Sequence, residues 1–222
     1  MSCPRTRSVK PSHSELAFAS FLAYCPRGDT DAMRRARNFM RRLKENRVVR
    51  DETAAALVAR RLRERAETFA SEFLGANTAL VPMPRSGLLR RDTLWPALEI
   101  AESLSEEGFG RGVLPCLRRI VAVPKAATSR ADERPKARAH FESIELEAPL
   151  SLPTSVTLID DVVTRGAQLF GAAWKIWSMR PDVEVRAFAV IRTVSAPEDF
   201  STIADPCTGR IEWREEECRR RP

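Results

Sequence analysis

Cysteine is scarce in this chain and follows no pattern. The five residues Cys3, Cys25, Cys116, Cys207 and Cys218 are odd in number and scattered, with no CxxC pair. That argues against both a zinc ribbon and a disulfide framework, and makes a reduced, cytoplasmic protein the expectation. No apolar run reaches the roughly 20 residues of a membrane-spanning helix, so no membrane partner is expected. An apolar segment followed by a small-residue cleavage site is also missing near the N-terminus, so no signal peptide is expected. Internal repeats and low-complexity linkers are absent.

What is present suits a globular α/β protein. The chain has 222 residues and is 43% hydrophobic, enough for one domain with an appendage. Its net charge of +7 is uneven: residues 1–70 hold 16 Lys/Arg against 8 Asp/Glu, whereas residues 71–222 hold 21 against 22. The basic excess therefore sits in residues 1–75, read as a basic helical N-terminal region, ahead of an α/β domain over 76–222 with a C-terminal cap. Ser14 is expected to cap a short helix through Tyr24, on the strength of Leu16, Phe18, Phe21 and Leu22. Asp29 or Thr30 caps a second helix to about Asn46, in which Met33, Ala36, Phe39, Met40 and Leu43 recur at helical spacing. Arginines fill its remaining positions. They offer an acidic partner such as nucleic acid a surface, although no aromatic residues interleave them to stack bases. A third helix is expected from Asp51 to about Leu74.

The stretch with the most chemistry is Thr157-Leu158-Ile159-Asp160-Asp161-Val162-Val163-Thr164-Arg165-Gly166-Ala167-Gln168. Val156 to Ile159 reads as a strand buried on both faces, followed by two carboxylates. Thr164 to Gln168 form a small turn that opens a helix from about Ala167 to Met179. Gly166 permits a backbone turn that other residues resist, and N–H groups at a helix start favour phosphate. An anion cradle thus lies beside oxygen-rich acids, a pairing that suits a phosphorylated sugar with bound Mg²⁺.

Upstream, Thr78 to Gly87 reads as a short strand ending in a Pro-rich loop, where Arg85, Ser86 and Gly87 are placed to bind phosphate or pyrophosphate. A helix from Trp95 to Leu104 follows, then strands over Val113–Ile120 and Phe141–Leu146. Between those strands, Ala122 to Arg138 carries Lys125, Arg130, Arg134, Lys136 and Arg138. This long polar stretch reads as a functional loop whose Lys125 and Arg130 close over pyrophosphate. His140 at its end reads as structural or exposed. A further apolar strand spans Val183–Ile191. In the tail, Trp213 packs back and Arg219 to Arg221 are solvated.

Apolar strand, Asp-Asp, two apolar residues and Thr-x-Gly together resemble the phosphoribosyl pyrophosphate (PRPP) motif of type I phosphoribosyltransferases, with Arg165 where a second Thr is usual. Over residues 50–195 the order of segments is similar to the ComF-like branch: a long helix, a Val-Pro-x-Pro loop, a basic segment ending near Phe141, then the acidic motif. Two features depart from that branch: no cysteine-rich N-terminal segment is present, and Arg138-Ala139-His140 replaces a customary Asn. The resemblance implies a parallel sheet flanked by helices and a glycosyltransferase that moves ribose 5-phosphate between PRPP and a nitrogenous base. Asp160 and Asp161 would hold the ribose hydroxyls and a Mg²⁺-bound water. Thr164, Arg165, Gly166, Ala167 and Gln168 would cradle the 5-phosphate, and Arg85, Ser86 and Gly87 the pyrophosphate. An alternative reading is a non-catalytic PRPP or nucleotide sensor in DNA uptake or defence against foreign DNA. The partners implied are PRPP or a nucleotide, nucleic acid at the basic N-terminal helices, and a second copy of the chain in a homo-oligomer.

Overall fold

The computed structural model describes residues 10–49, 51–65, 68–88, 93–124, 134–147 and 152–222. Along the chain run β1 (Glu15–Tyr24), α1 (Asp31–Lys44), β2 (Val48–Val49), β3 (Glu52–Thr53), α2 (Ala54–Arg65), α3 (Thr68–Leu74), β4 (Ala79–Pro82) and α4 (Pro96–Glu106). They are followed by β5 (Leu117–Arg119), α5 (Ala137–Ser143), β6 (Ile144–Leu146), β7 (Ser155–Val163), α6 (Ala167–Met179), β8 (Glu184–Thr193), β9 (Ala204–Arg214) and β10 (Glu217–Arg221). The main sheet has the order β10-β9-β1-β8-β7-β4. β4, β7, β8 and β1 are parallel, and β9 and β10 extend the sheet antiparallel. This is an α/β fold: a mostly parallel sheet flanked by helices. Among the described residues, no helix is long and apolar enough to cross a membrane.

Alternation along the inner strands sends side chains into two core layers. Leu158, Ala187 and Ala189 join Phe170, Ile176 and Trp177 of α6 on one face. Ile159, Phe188 and Val190 join Val58, Leu62, Phe73, Ile100 and Leu104 of α2, α3 and α4 on the other. Val156 to Ile159 are fully buried, as a strand covered on both faces should be. β7 continues four residues past Ile159, because Asp160 pairs with Ala189 and Val162 with Ile191 of β8. The acidic pair therefore lies inside the last turn of the ladder rather than after it.

The N-terminal segment corrects a sequence expectation. Residues 15–24 form strand β1, not a helix. Phe18 pairs with Ala187 of β8 and with Gly209 of β9. Leu16 and Phe18 enter one core layer and Ala19 and Phe21 the other. A strand buried on both faces is apolar at nearly every position, and over ten residues that pattern does not separate from a helical stripe. A strand N-terminal to residue 75 thus shares the sheet formed by residues beyond it. The helix expected from Asp51 to Leu74 is also divided. Asp51 adopts φ 68° in the β2–β3 turn, a left-handed conformation that Asp tolerates, and α2 and α3 follow separately.

Three smaller differences have local causes. Pro115 interrupts the strand expected over Val113–Ile120, leaving a single bridge from Val113 to Leu80 and the short β5. Phe141 lies in α5, where its ring stacks on Trp174 at 4.4 Å. Gly171 of α6 allows this close approach, since a Cβ there would sit 2.5 Å from the Ala137 carbonyl. Arg220 is not solvated: it donates to the Thr193 carbonyl at 2.7 Å and lies 5.6 Å from the centre of the Phe18 ring. The expected helix from about Ala167 to Met179 is present with those ends, Thr30 caps α1 through Met33 N–H, and Trp213 packs toward Trp174.

Phe18 is fully buried at the centre of the sheet. Phe18→Ala is expected to cost about 3–5 kcal/mol in urea unfolding. A loss under about 1 kcal/mol, the range of exposed positions, would contradict the central placement of β1.

Candidate functional site

Parallel strands bring two of the sequence-predicted loops side by side. β4 and β7 are neighbours in register, and Met83 N–H donates to the Ile159 carbonyl at 2.8 Å just beyond the end of β4. The Gln168 amide, at the start of α6, donates to the Pro84 carbonyl at 3.1 Å. Trp95 adds an indole N–H to the Met83 carbonyl at 2.7 Å. The loop carrying Arg85, Ser86 and Gly87 is therefore tied to the turn carrying Thr164 to Gln168. One side chain, Gln168, is committed to that tie.

The turn itself is narrow. Gly166 has φ 86°, and a Cβ there would meet the Ile211 side chain of β9 at 2.5 Å. Its carbonyl accepts the first helical bond from Phe170 at 2.9 Å. The Thr164 and Thr193 hydroxyls lie 3.0 Å apart, joining the turn to the end of β8. Thr164 and Arg165 are exposed, while Ala167 and Gln168 are half-buried. Gly87 differs from Gly166: it has no positive φ and nothing lies within 4 Å of a Cβ built on it. Lys125 and Arg130 lie outside the described residues.

The two acids are unlike. Asp160 is buried and accepts a bond from Asp161 N–H at 3.0 Å. Burial first, and then the negative Asp161 beside it, hold its carboxyl well above the ordinary 3.8. Asp161 is partly exposed, accepts from Val162 N–H at 2.8 Å, and has Lys44 Nζ of α1 at 3.9 Å. Together they set a buried acid, held toward its neutral form, next to a more exposed one that faces a lysine. Nothing in the sequence between residues 44 and 161 signalled that lysine; only the packing of α1 supplies it.

Two further groups near the loop were not expected as site residues. Arg119 of β5 is 4% exposed, donates Nε to the Arg85 carbonyl at 2.9 Å and Nη1 to Ser143 Oγ at 2.6 Å, and leaves Nη2 without a partner among the described residues. Burial lowers its pKa to about 10, against the attraction of Asp160. Arg85 likewise has a buried Nη1 with no partner there. Both line a cavity of about 100 Å³ with Pro84, Gly87 and Trp95. Unpaired guanidinium N–H groups under cover are costly unless an anion meets them. His140 is buried, the structural one of its two expected placements, and pushed down to about 3 by burial and then by Arg119. A charged residue at an inward position of an alternating strand was the available signal for Arg119.

No group of three or more His, Cys, Asp or Glu gathers among the described residues. Two hard carboxylates fit Mg²⁺ only as an ion that takes its remaining ligands from substrate and water. Asp161, the more exposed acid, is the residue that would hold it.

No protein-family model matches the chain, and no curated protein matches it. Among solved structures it is similar to an alanine mutant from an analysis of an invariant aspartic acid in HPRTs, at 10% identity and a TM-score of 0.29, over 82% of this chain and 93% of that one. A likeness at that level carries no functional weight.

Three outcomes are expected. Gly166→Ala should cost at least about 1–2 kcal/mol from its left-handed backbone alone, measured by urea unfolding. Asp160 has a raised folded-state pKa, so it stabilises the fold below 3.8 and that contribution is lost as pH rises through the folded value. Asp160→Asn should therefore be more stable than wild type at pH 7. His140 has the opposite sign: its contribution is present above 6.5 and lost as pH falls toward about 3. His140→Gln should flatten that part of the stability profile, by up to about 1.4 kcal/mol per pH unit; an unchanged profile would refute the assignment.

Proposed function

We propose that the protein binds PRPP and transfers its ribose 5-phosphate to or from a nitrogenous base. The observation that carries this reading is the joining of the Arg85 loop to the Asp160–Gln168 turn at the C-terminal ends of adjacent parallel strands, where α/β sheets take ligands. The motif order supports placement in the ComF-like branch of the type I phosphoribosyltransferases.

In this reading the free N–H groups at the start of α6 hold the 5-phosphate, with exposed Arg165 beside it. Asp161 and Asp160 face the ribose hydroxyls. Arg85 and Arg119 meet the pyrophosphate with their unpartnered N–H groups. This neutralises charge on the leaving group as the ribose carbon becomes electron-poor. Mg²⁺, when bound, supplies further neutralisation of the pyrophosphate. Lys125 and Arg130 belong to the segment proposed to close over it. The same cradle without turnover would make a PRPP-responsive regulator, and a turnover measurement separates the two.

Calorimetric titration of PRPP with MgCl₂ tests the binding. Wild type is expected to bind, and affinity should fall at least tenfold in the Asp160→Asn, Asp161→Asn double variant and in Arg119→Gln. Absence of heat with wild type would overturn the reading. Release of pyrophosphate in the presence of a panel of bases then distinguishes enzyme from regulator.

A further inference from the structure

A cleft of about 600 Å³ lies away from the loops above, between α1, α2 and β1. Its volume is that of a small-molecule site. The floor is apolar: Leu22, Leu57, Val58 and Ile203, with the half-buried ring of Phe39 beside them. The mouth is basic. Arg35, Arg42, Arg60 and Arg61 line it, and Glu52 is the one acidic residue among the lining groups.

The arginines differ in what already holds them. Arg60 is bound to Glu52 at 2.5 Å and to Glu64 at 2.6 Å, and Arg61 to Glu64 at 3.0 Å. Elsewhere on α1, Arg34 pairs with Asp29 and Asp31, and Arg37 donates to the Gly28 carbonyl. The side chains of Arg35 and Arg42 have no hydrogen bond or ion pair among the described residues. They are seven residues apart, on the same side of the helix and about 10 Å apart along its axis. Asn38 and Phe39 lie between them and also line the cleft.

We propose that this cleft is a second binding site, for a nucleoside phosphate. The phosphate would take the two unpaired guanidinium groups, which match its oxygens in a forked geometry. The base would lie on the apolar floor against Phe39, with its edge toward the Asn38 amide. Aromatic stacking and Asn pairing are both suited to a purine. A simple acyl anion fits less well, since it has no ring to lie against Phe39 and no polar edge to meet the Asn38 amide. The basic surface expected of the N-terminal region is thereby narrowed from a whole arginine-rich helix to one face of α1. That helix also carries Lys44 to Asp161, so the cleft and the acid pair share a rigid element.

Calorimetry with AMP, adenosine, inorganic phosphate and octanoate tests this. AMP is expected to bind wild type at least tenfold more tightly than adenosine, phosphate or octanoate. The Arg35→Gln, Arg42→Gln double variant should lose at least tenfold in AMP affinity. Arg34→Gln, on the same helix but outside the cleft, should stay within twofold. Undiminished AMP binding in the Arg35/Arg42 variant, equal loss in Arg34→Gln, or octanoate binding as tightly as AMP would overturn the proposal. Loss of AMP binding only in the Asp160/Asp161 variant would overturn it too, placing the nucleotide at the acid pair. A PRPP titration that fails while AMP still binds through Arg35 and Arg42 would sink the proposed transferase and leave this site standing.

Discussion

Everything at the site depends on the burial of β7. Its apolar run is covered by α6 on one face and by α2, α3 and α4 on the other. That double cover leaves no room for the strand to shift register by one residue without sending its side chains into the wrong layer. The ladder with β8 therefore places Asp160 at the edge of the core every time the protein folds. Burial then does chemistry: it holds the Asp160 carboxyl above its ordinary pKa, while Asp161 one residue on stays within reach of solvent and of Lys44. Two identical side chains in sequence come to differ in burial and in charged neighbours through position alone.

The same constraint governs the positive side of the site. β5 is only three residues long, yet its alternation turns Arg119 inward between the Arg85 loop and α5. Ser143 and a backbone carbonyl satisfy part of the guanidinium, and the remaining N–H is left over. Such a group destabilises the free protein and rewards whatever anion meets it, which is how binding sites trade folding energy for affinity. Gly171 supports this arrangement from a distance, because the α5–α6 contact that seats Ser143 and His140 requires a residue without a side chain.

Much of the turn and of its helix was legible in the chain. Val156 to Ile159 announced a doubly buried strand, Gly166 announced the left-handed turn, and α6 begins and ends where its apolar pattern does. Local signals sufficed there because the strand, turn and helix follow one another without interruption. β1 was not legible for the opposite reason. Leu16, Phe18, Phe21 and Leu22 satisfy a helix and a doubly buried strand about equally well, and only the vacancy between β8 and β9 selects the strand. Arg119, His140 and Lys44 were hidden for a related reason, since each acquires its role from a contact far away in the chain.

The sequence by itself determined the α/β class, the Asp160–Gln168 turn and the concentration of positive charge in the first 70 residues, because composition and short-range spacing are local properties. The tertiary structure alone decided that residues 15–24 enter the sheet, that the Asp160 carboxyl is buried with its pKa raised, and that Arg35 and Arg42 face a cleft while Arg34 and Arg37 are already paired. Those outcomes depend on which surfaces meet, and burial and charge pairing take their values only once distant segments are in contact.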